Sequence, residues 1–138
     1  MEPLPIHPLH LGHVEIAFPV VQAALAGYSD WPMRVIASRL GAPLTFTEAL
    51  LARLVVQVKR KSRARQMIRP TGDGALCGAQ LMGGDDEELA AAAQLLVRAG
   101  FQLIDVNLAC PVKKVMGRRR GGHLMGHPTL AVSIVTRV

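Results

Sequence analysis

Apolar strand-like segments alternate with helix-prone ones along almost the whole chain, and a chain in that order has few ways to bury its hydrophobic surface. Residues 16–26 make an apolar, strand-like run that stops at Gly27. Ser29 or Asp30 then stands where it can cap a helix, with Pro32 tolerated in the first turn. Val35, Ile36 and Leu40 follow at helical spacing, and Gly41 ends the run. Residues 44–47 are β-prone, and residues 49–58 read as a helix with Leu50, Leu54 and Val58 on one stripe. A polar, glycine-containing loop over 62–74 leads to a third strand over 76–82, closed by Gly83 and Gly84. Asp85, Asp86, Glu87 and Glu88 then gather where the backbone dipole of a helix favours negative charge, and Gly100 caps the far end. Residues 103–107 give a fourth strand, a basic glycine-rich loop follows, and Pro128 opens a last helix.

Four strand–helix units in series imply a parallel sheet. A doubly wound sheet and part of an eight-fold barrel both satisfy the pattern, and periodicity does not choose between them. The chain has 138 residues, half of them hydrophobic but only 4% aromatic, as buried Leu-, Val- and Ala-rich strands under helices require. Residues 1–15, rich in Pro and His, are expected to be an irregular leader, with the folded unit spanning 16–138. Neither a GxGxxG nor a GxxxxGK[ST] phosphate loop follows any strand. No apolar run reaches the roughly 18 residues of a membrane span. Cys77 and Cys110 sit in unrelated contexts, which suits reduced thiols and a cytoplasmic location.

The formal net charge is +6, and its distribution says more than its size. Seven of the sixteen basic residues fall between Arg53 and Arg69, and five between Lys113 and Arg120. No acidic residue lies between Ala49 and Gly72, and none follows Asp105. Two unopposed basic blocks suit a phosphate backbone; a solvated helix face and a basic loop would give the same pattern.

Sites in parallel α/β folds form at the C-terminal ends of the strands. There the sequence places Ala24, Leu25 and Ala26 after the first strand, Glu48 after the second, Gln80 near the end of the third, and Asp105 to Pro111 at the fourth. Side-chain amides donate and accept at once, which suits a planar ring with alternating C=O and N–H groups. Cys110 carries a thiol that is mostly protonated at neutral pH and so able to act as a general acid; an ordinary buried cysteine is the alternative. Cys77 falls in the body of a strand and reads as core. His7, His10 and His13 occupy the leader, and Pro128 separates His123 and His127 from a shared helix, so no metal site is assigned.

Three segments together resemble the tRNA-dihydrouridine synthase family: Ala26-Gly27-Tyr28-Ser29-Asp30-Trp31-Pro32-Met33-Arg34, Ala79-Gln80-Leu81-Met82-Gly83, and Asp105-Val106-Asn107-Leu108-Ala109-Cys110-Pro111-Val112-Lys113-Lys114-Val115. An Asn-x-x-Cys-Pro strand end also occurs in dihydroorotate and dihydropyrimidine dehydrogenases. The Cys-Pro-x-Lys-Lys-Val continuation and the Gly-Tyr-Ser-Asp-x-Pro opening favour the tRNA enzymes. The resemblance implies a TIM-type (β/α)8 barrel, of which this chain would hold about the first four βα units. The C-terminal barrel half and a helical tRNA-binding domain would lie outside it.

The resemblance further implies an FMN-dependent, NADPH-driven reduction of uridine to 5,6-dihydrouridine in tRNA. Cys110 would then be the general acid. Ala24, Leu25, Ala26, Gln80 and Asn107 would lie against the flavin and the base. Lys113, Lys114, Arg118, Arg119 and Arg120 would lie near tRNA phosphates. The family pattern has Pro-Met where this chain has Ala24-Leu25. Unpaired edges of a half barrel would favour self-association, and a chain without the other half would bind FMN poorly and be inactive by itself. Alternative readings are a flavoenzyme acting on a free pyrimidine and an inactive, truncated RNA-binding remnant.

Overall fold

The computed structural model describes residues 5–58, 63–72 and 74–138. Lys59, Arg60 and Lys61 of the first basic block therefore lie outside the described residues.

The leader is not irregular throughout. Strand β1 (Leu9–Leu11) pairs antiparallel with β2 (Val14–Ile16) across a turn at Gly12, which takes φ +60°. Val14 and Ile16 are buried, while Glu15 points out and meets His10 at 3.3 Å. Alternating apolar residues on either side of a tight glycine turn are enough to form the hairpin. The strand expected over 16–26 does not form. Only Gln22 joins the sheet, in a bridge to Thr45: its N–H donates to Leu44 O at 2.9 Å and its carbonyl accepts from Phe46 N at 3.2 Å. Pro19 offers no donor to a ladder. Beyond Gln22 the backbone turns to Ser29, whose Oγ accepts from Leu25 N at 2.8 Å and donates to Ala23 O at 2.9 Å.

Helix α1 (Trp31–Arg39) starts where Asp30 Oδ1 accepts from Met33 N at 2.9 Å, with Pro32 in the first turn. It leads to β3 (Leu44–Phe46). The helix expected over 49–58 starts late. Leu50–Leu51 forms strand β4, and helix α2 covers Ala52–Gln57. The two leucines suit a helix stripe and a strand equally well, and pairing with the next strand decides. That strand, β5 (Leu76–Met82), is the centre of a wholly parallel sheet. Its first half pairs with β3 and its last two residues with β4, while β6 (Leu103–Val106) runs along its other side.

Helix α3 (Asp86–Ala99) joins β5 to β6, capped by Asp85 Oδ1 on Glu88 N at 2.8 Å and ended by Gly100 at φ +105°. The basic loop after β6 contains two short helices, α4 (Lys113–Met116) and α5 (Gly122–Met125), before α6 (Pro128–Arg137). Helix α6 is tied to the start of α3, where Asp86 Oδ2 accepts from Ser133 Oγ at 2.7 Å and meets Arg137 Nε at 3.0 Å.

Alternation along β5 separates core from site. Cys77, Ala79 and Leu81 turn into the hydrophobic core with Leu89 and Leu96 of α3 and Ile134 of α6, all essentially inaccessible. Each leucine buried there contributes about 1.5–3 kcal/mol. Gly78 and Gln80 face the opposite way, with Phe46 lying so close over Gly78 that a Cβ would come within 2.2 Å of its ring. Among the described residues no helix is long and apolar enough to cross a membrane.

Candidate active site at the strand ends

The parallel register sets Gln80 beside Asp105. Gln80 Nε2 donates to Asp105 Oδ2 at 2.6 Å, and Asn107 Nδ2 donates to Gln80 Oε1 at 2.9 Å. Asn107 Oδ1 then accepts from the backbone N–H groups of Ala109 and Cys110, at 3.3 and 3.0 Å. The short turn leaving β6 is thus held by an asparagine side chain standing in for backbone. It leaves the Cys110 thiol free and half-buried. Gly122 N donates to the Cys110 carbonyl at 2.9 Å. Gly121 lies against the same residue, at φ +57° and ψ −128°.

A second series of bonds reaches the first loop. Gln80 N donates to Thr47 Oγ1 at 3.1 Å, and that hydroxyl donates to Glu48 O at 2.8 Å. Glu48 Oε2 accepts from Gly27 N at 2.8 Å, which pins the loop holding Ala24, Leu25 and Ala26 to the end of β3. Leu25 N is already committed to Ser29 Oγ, whereas the N–H groups of Ala24 and Ala26 carry no internal partner among the described residues. The structure therefore joins Gln80, Asn107 and Cys110 directly, and Ala24 to Ala26 through Glu48 and Thr47. Sequence reasoning missed Thr47 and Asp105 as members of this network, because neither residue reveals from the sequence which strand it will meet.

Each amide keeps capacity for a ligand. Gln80 Nε2 and Asn107 Nδ2 each spend one of two hydrogens inside the network, leaving two N–H donors for a carbonyl-bearing ring. With the free amides of Ala24 and Ala26, the exposed Leu25 and the half-buried thiol, the strand ends offer donors and apolar surface suited to a planar, carbonyl-bearing ring. Next to it a cleft of about 420 Å³ opens between Asp30, Trp31 and Glu48 on one side and Gln66, Met67 and Arg69 on the other. Trp31 Nε1 donates to Pro70 O at 3.0 Å, and the Arg69 guanidinium lies 3.9 Å over the indole.

The basic segment is folded. Lys113 and Lys114 begin α4, Arg118 and Arg119 are exposed, and Arg120 is half-buried. Arg119 adopts φ +59°, and its carbonyl packs on Gly84 so tightly that a Cβ there would approach within 2.4 Å. None of the five makes an ion pair with an acid among the described residues. His123 and His127 stack at 4.0 Å, and His127 Nδ1 meets His123 O at 2.9 Å. Desolvation, then the neighbouring His127 and Arg119, hold the His123 pKa below its ordinary value.

Residues 21–138 match the model of the dihydrouridine synthase family. The chain belongs to the dihydrouridine synthase family. It is 33% identical over 130 residues to tRNA-dihydrouridine synthase B of Yersinia pestis, covering 94% of this chain and 40% of that protein. It is 32% identical over the same length to the synthases B of Escherichia coli (strain K12) and Pasteurella multocida (strain Pm70), covering 40% and 39% of them. The chain thus spans about two fifths of the length of these relatives. The Gln80, Asn107 and Cys110 network lies wholly within the matched region of this dihydrouridine synthase homologue.

Proposed function

We propose that this chain carries the acid and one wall of the cofactor site of a tRNA-dihydrouridine synthase, built on about the first four βα units of a TIM-type barrel. The observation that carries the reading is the clamp of Asn107 Oδ1 on the Cys110 N–H, which presents a half-buried thiol at the exit of β6. Bound FMN, reloaded by NADPH, would supply hydride to the uracil ring. Ala24 and Ala26 would donate backbone N–H groups to the flavin edge, and Leu25 would pack against it. The spare donors of Gln80 and Asn107 would fix flavin and base carbonyls. Cys110 Sγ would hold the proton delivered to the pyrimidine, a contribution of about 10²–10⁴ in rate for a positioned acid.

Reaching a base in folded tRNA requires its extrusion, and the exposed Lys113, Lys114, Arg118 and Arg119, with Arg120, would neutralise the flanking phosphates. Such a substrate would suit a cytoplasmic protein. The unopposed charge favours tRNA over a free pyrimidine as substrate. The outer edge of β6 has no strand partner among the described residues, so barrel closure would need further strands beside it. The test is the flavin absorbance spectrum of the purified chain with excess FMN, read beside its size-exclusion mass, followed by a tRNA reduction assay. A monomer without bound flavin, and a flavin-loaded dimer that loses tRNA reduction with Cys110→Ala, are the expected results. Stoichiometric flavin on a monomer refutes the half-site reading, and full activity in Cys110→Ala refutes the acid.

A further inference from the structure

Two side-chain amides lie in series between a carboxylate at one end and backbone N–H groups at the other. An ionised carboxylate only accepts hydrogen bonds, and a backbone N–H only donates. Asp105 Oδ2 stands at one end, 2.6 Å from Gln80 Nε2. The N–H groups of Ala109 and Cys110 stand at the other, on Asn107 Oδ1. Turning the Gln80 amide over would set its oxygen against the carboxylate and its nitrogen against Asn107. Asn107 would then have to turn as well, bringing its own N–H₂ against the N–H of Cys110. Only one direction satisfies every member, and the carboxylate at one end and the backbone N–H groups at the other enforce it together.

We propose that Asp105 is a positioning residue for the reaction assigned to Cys110: acting through Gln80 and Asn107, it fixes the acceptor that holds the cysteine loop and aims the remaining amide hydrogens at the ligand. The proposal rests on the functional reading above for its purpose, but the relay is a property of the fold. Gln80 is the one hydrogen-bond partner of the Asp105 carboxylate among the described residues, and no base pairs with it there. The carboxylate, half-buried, is therefore not held for an ion pair. At 2.6 Å the contact is shorter than an ordinary N–H···O bond, the direction in which an ionised acceptor shifts it.

The test uses the full chain, without flavin or tRNA. Amide hydrogen exchange of Cys110, followed by NMR, reads the clamp. Iodoacetamide alkylation of Cys110 reads the thiol, since Cys77 is 1% exposed and shielded. Gln80→Glu keeps an acceptor for Asn107 but opposes one carboxylate to another. It should speed Cys110 amide exchange by about tenfold, the loss of one charge-assisted bond, with a parallel rise in alkylation. Adding Asp105→Asn supplies an N–H₂ to the new carboxylate while leaving the Asn107 contact in its original direction. The double variant should return both rates to within about threefold of the parent. A double variant no better than Gln80→Glu, or single variants with unaltered Cys110 exchange, overturns the relay. Should Gln80→Glu fail to fold by circular dichroism, Asp105→Leu takes its place: it removes the enforcing acceptor, and an unchanged Cys110 amide again refutes the proposal. Neither readout involves turnover, so failure of the relay and failure of the catalytic reading appear in different assays.

Discussion

Replacing Gly121 by alanine should unsettle Cys110 more than any other single methyl group added at a glycine beside the site. The Gly121 backbone sits at φ +57° and ψ −128°, a sparsely populated region in which a side chain costs about 1–3 kcal/mol. A Cβ would lie 2.8 Å from Cys110 Cβ and 2.9 Å from Cys110 O, well inside van der Waals contact. Such a wedge costs a further 1–3 kcal/mol or so. The stiffer unfolded chain gives back about 0.4–1 kcal/mol. The net loss is then roughly 2–5 kcal/mol, out of a total stability of about 5–15 kcal/mol for a domain. Gly27→Ala is the control: φ is +79°, yet nothing lies within 4 Å, so only backbone strain of about 1 kcal/mol remains. Urea unfolding followed by circular dichroism measures both, and Cys110 alkylation under native conditions should rise only in Gly121→Ala. Equal losses in the two variants would refute the steric argument.

Thr47→Val should lose about 1–3 kcal/mol in urea unfolding, because it strands the Gln80 N–H that the buried hydroxyl satisfies, while Thr47→Ser keeps most of it. The folded pKa of His123 is lowered, so the unfolded chain takes up its proton first. Stability should hold above the ordinary histidine value of about 6.5 and fall as pH drops through it, a slope that His123→Gln should reduce when urea midpoints are compared at both ends. Asp86 has the same sense of linkage at lower pH: the Ser133 hydrogen bond, then Arg137, hold its pKa low. The stabilisation is complete above the usual carboxylate range and disappears as pH falls through the lower folded value; acid unfolding of Ser133→Ala should start at higher pH. For the tRNA contact proposed above, Lys113→Ala with Lys114→Ala should flatten the salt dependence of binding by about 0.7–0.9 log units per lost phosphate contact; an unaltered slope would refute the role proposed for that segment.

What could be read from the sequence was local. Strand β5 and helix α3 fall where expected because alternation, an acidic first turn and a terminal glycine all lie within the segments they define. Asp30 caps α1 for the same reason. Three features escaped. The β1–β2 hairpin rests on two apolar residues per strand, hidden among Pro and His. The expected first strand is displaced by Ser29, whose hydroxyl takes up the Leu25 N–H and the Ala23 carbonyl that a ladder would have needed. The start of α2 gives way to pairing of Leu50 and Leu51 with Leu81 and Met82, a partner thirty-one residues away. At the site, Gln80, Asn107 and Cys110 were visible as polar residues at strand ends. The roles of Asp105 and Thr47 were not, since they come from a register that only the assembled sheet defines.

The bonds that run from Gly27 through Glu48, Thr47, Gln80 and Asn107 to Cys110 also order events in time. Their long-range members join residues 21, 33 and 27 positions apart, so each needs a large loop closed before it can form. During refolding Cys110 would therefore stay mobile and open to reagents until β5 has found both neighbours, and its protection would mark the last step of assembly rather than the first collapse. A pulse of alkylating agent at successive refolding times would follow that step at a single sulfur atom.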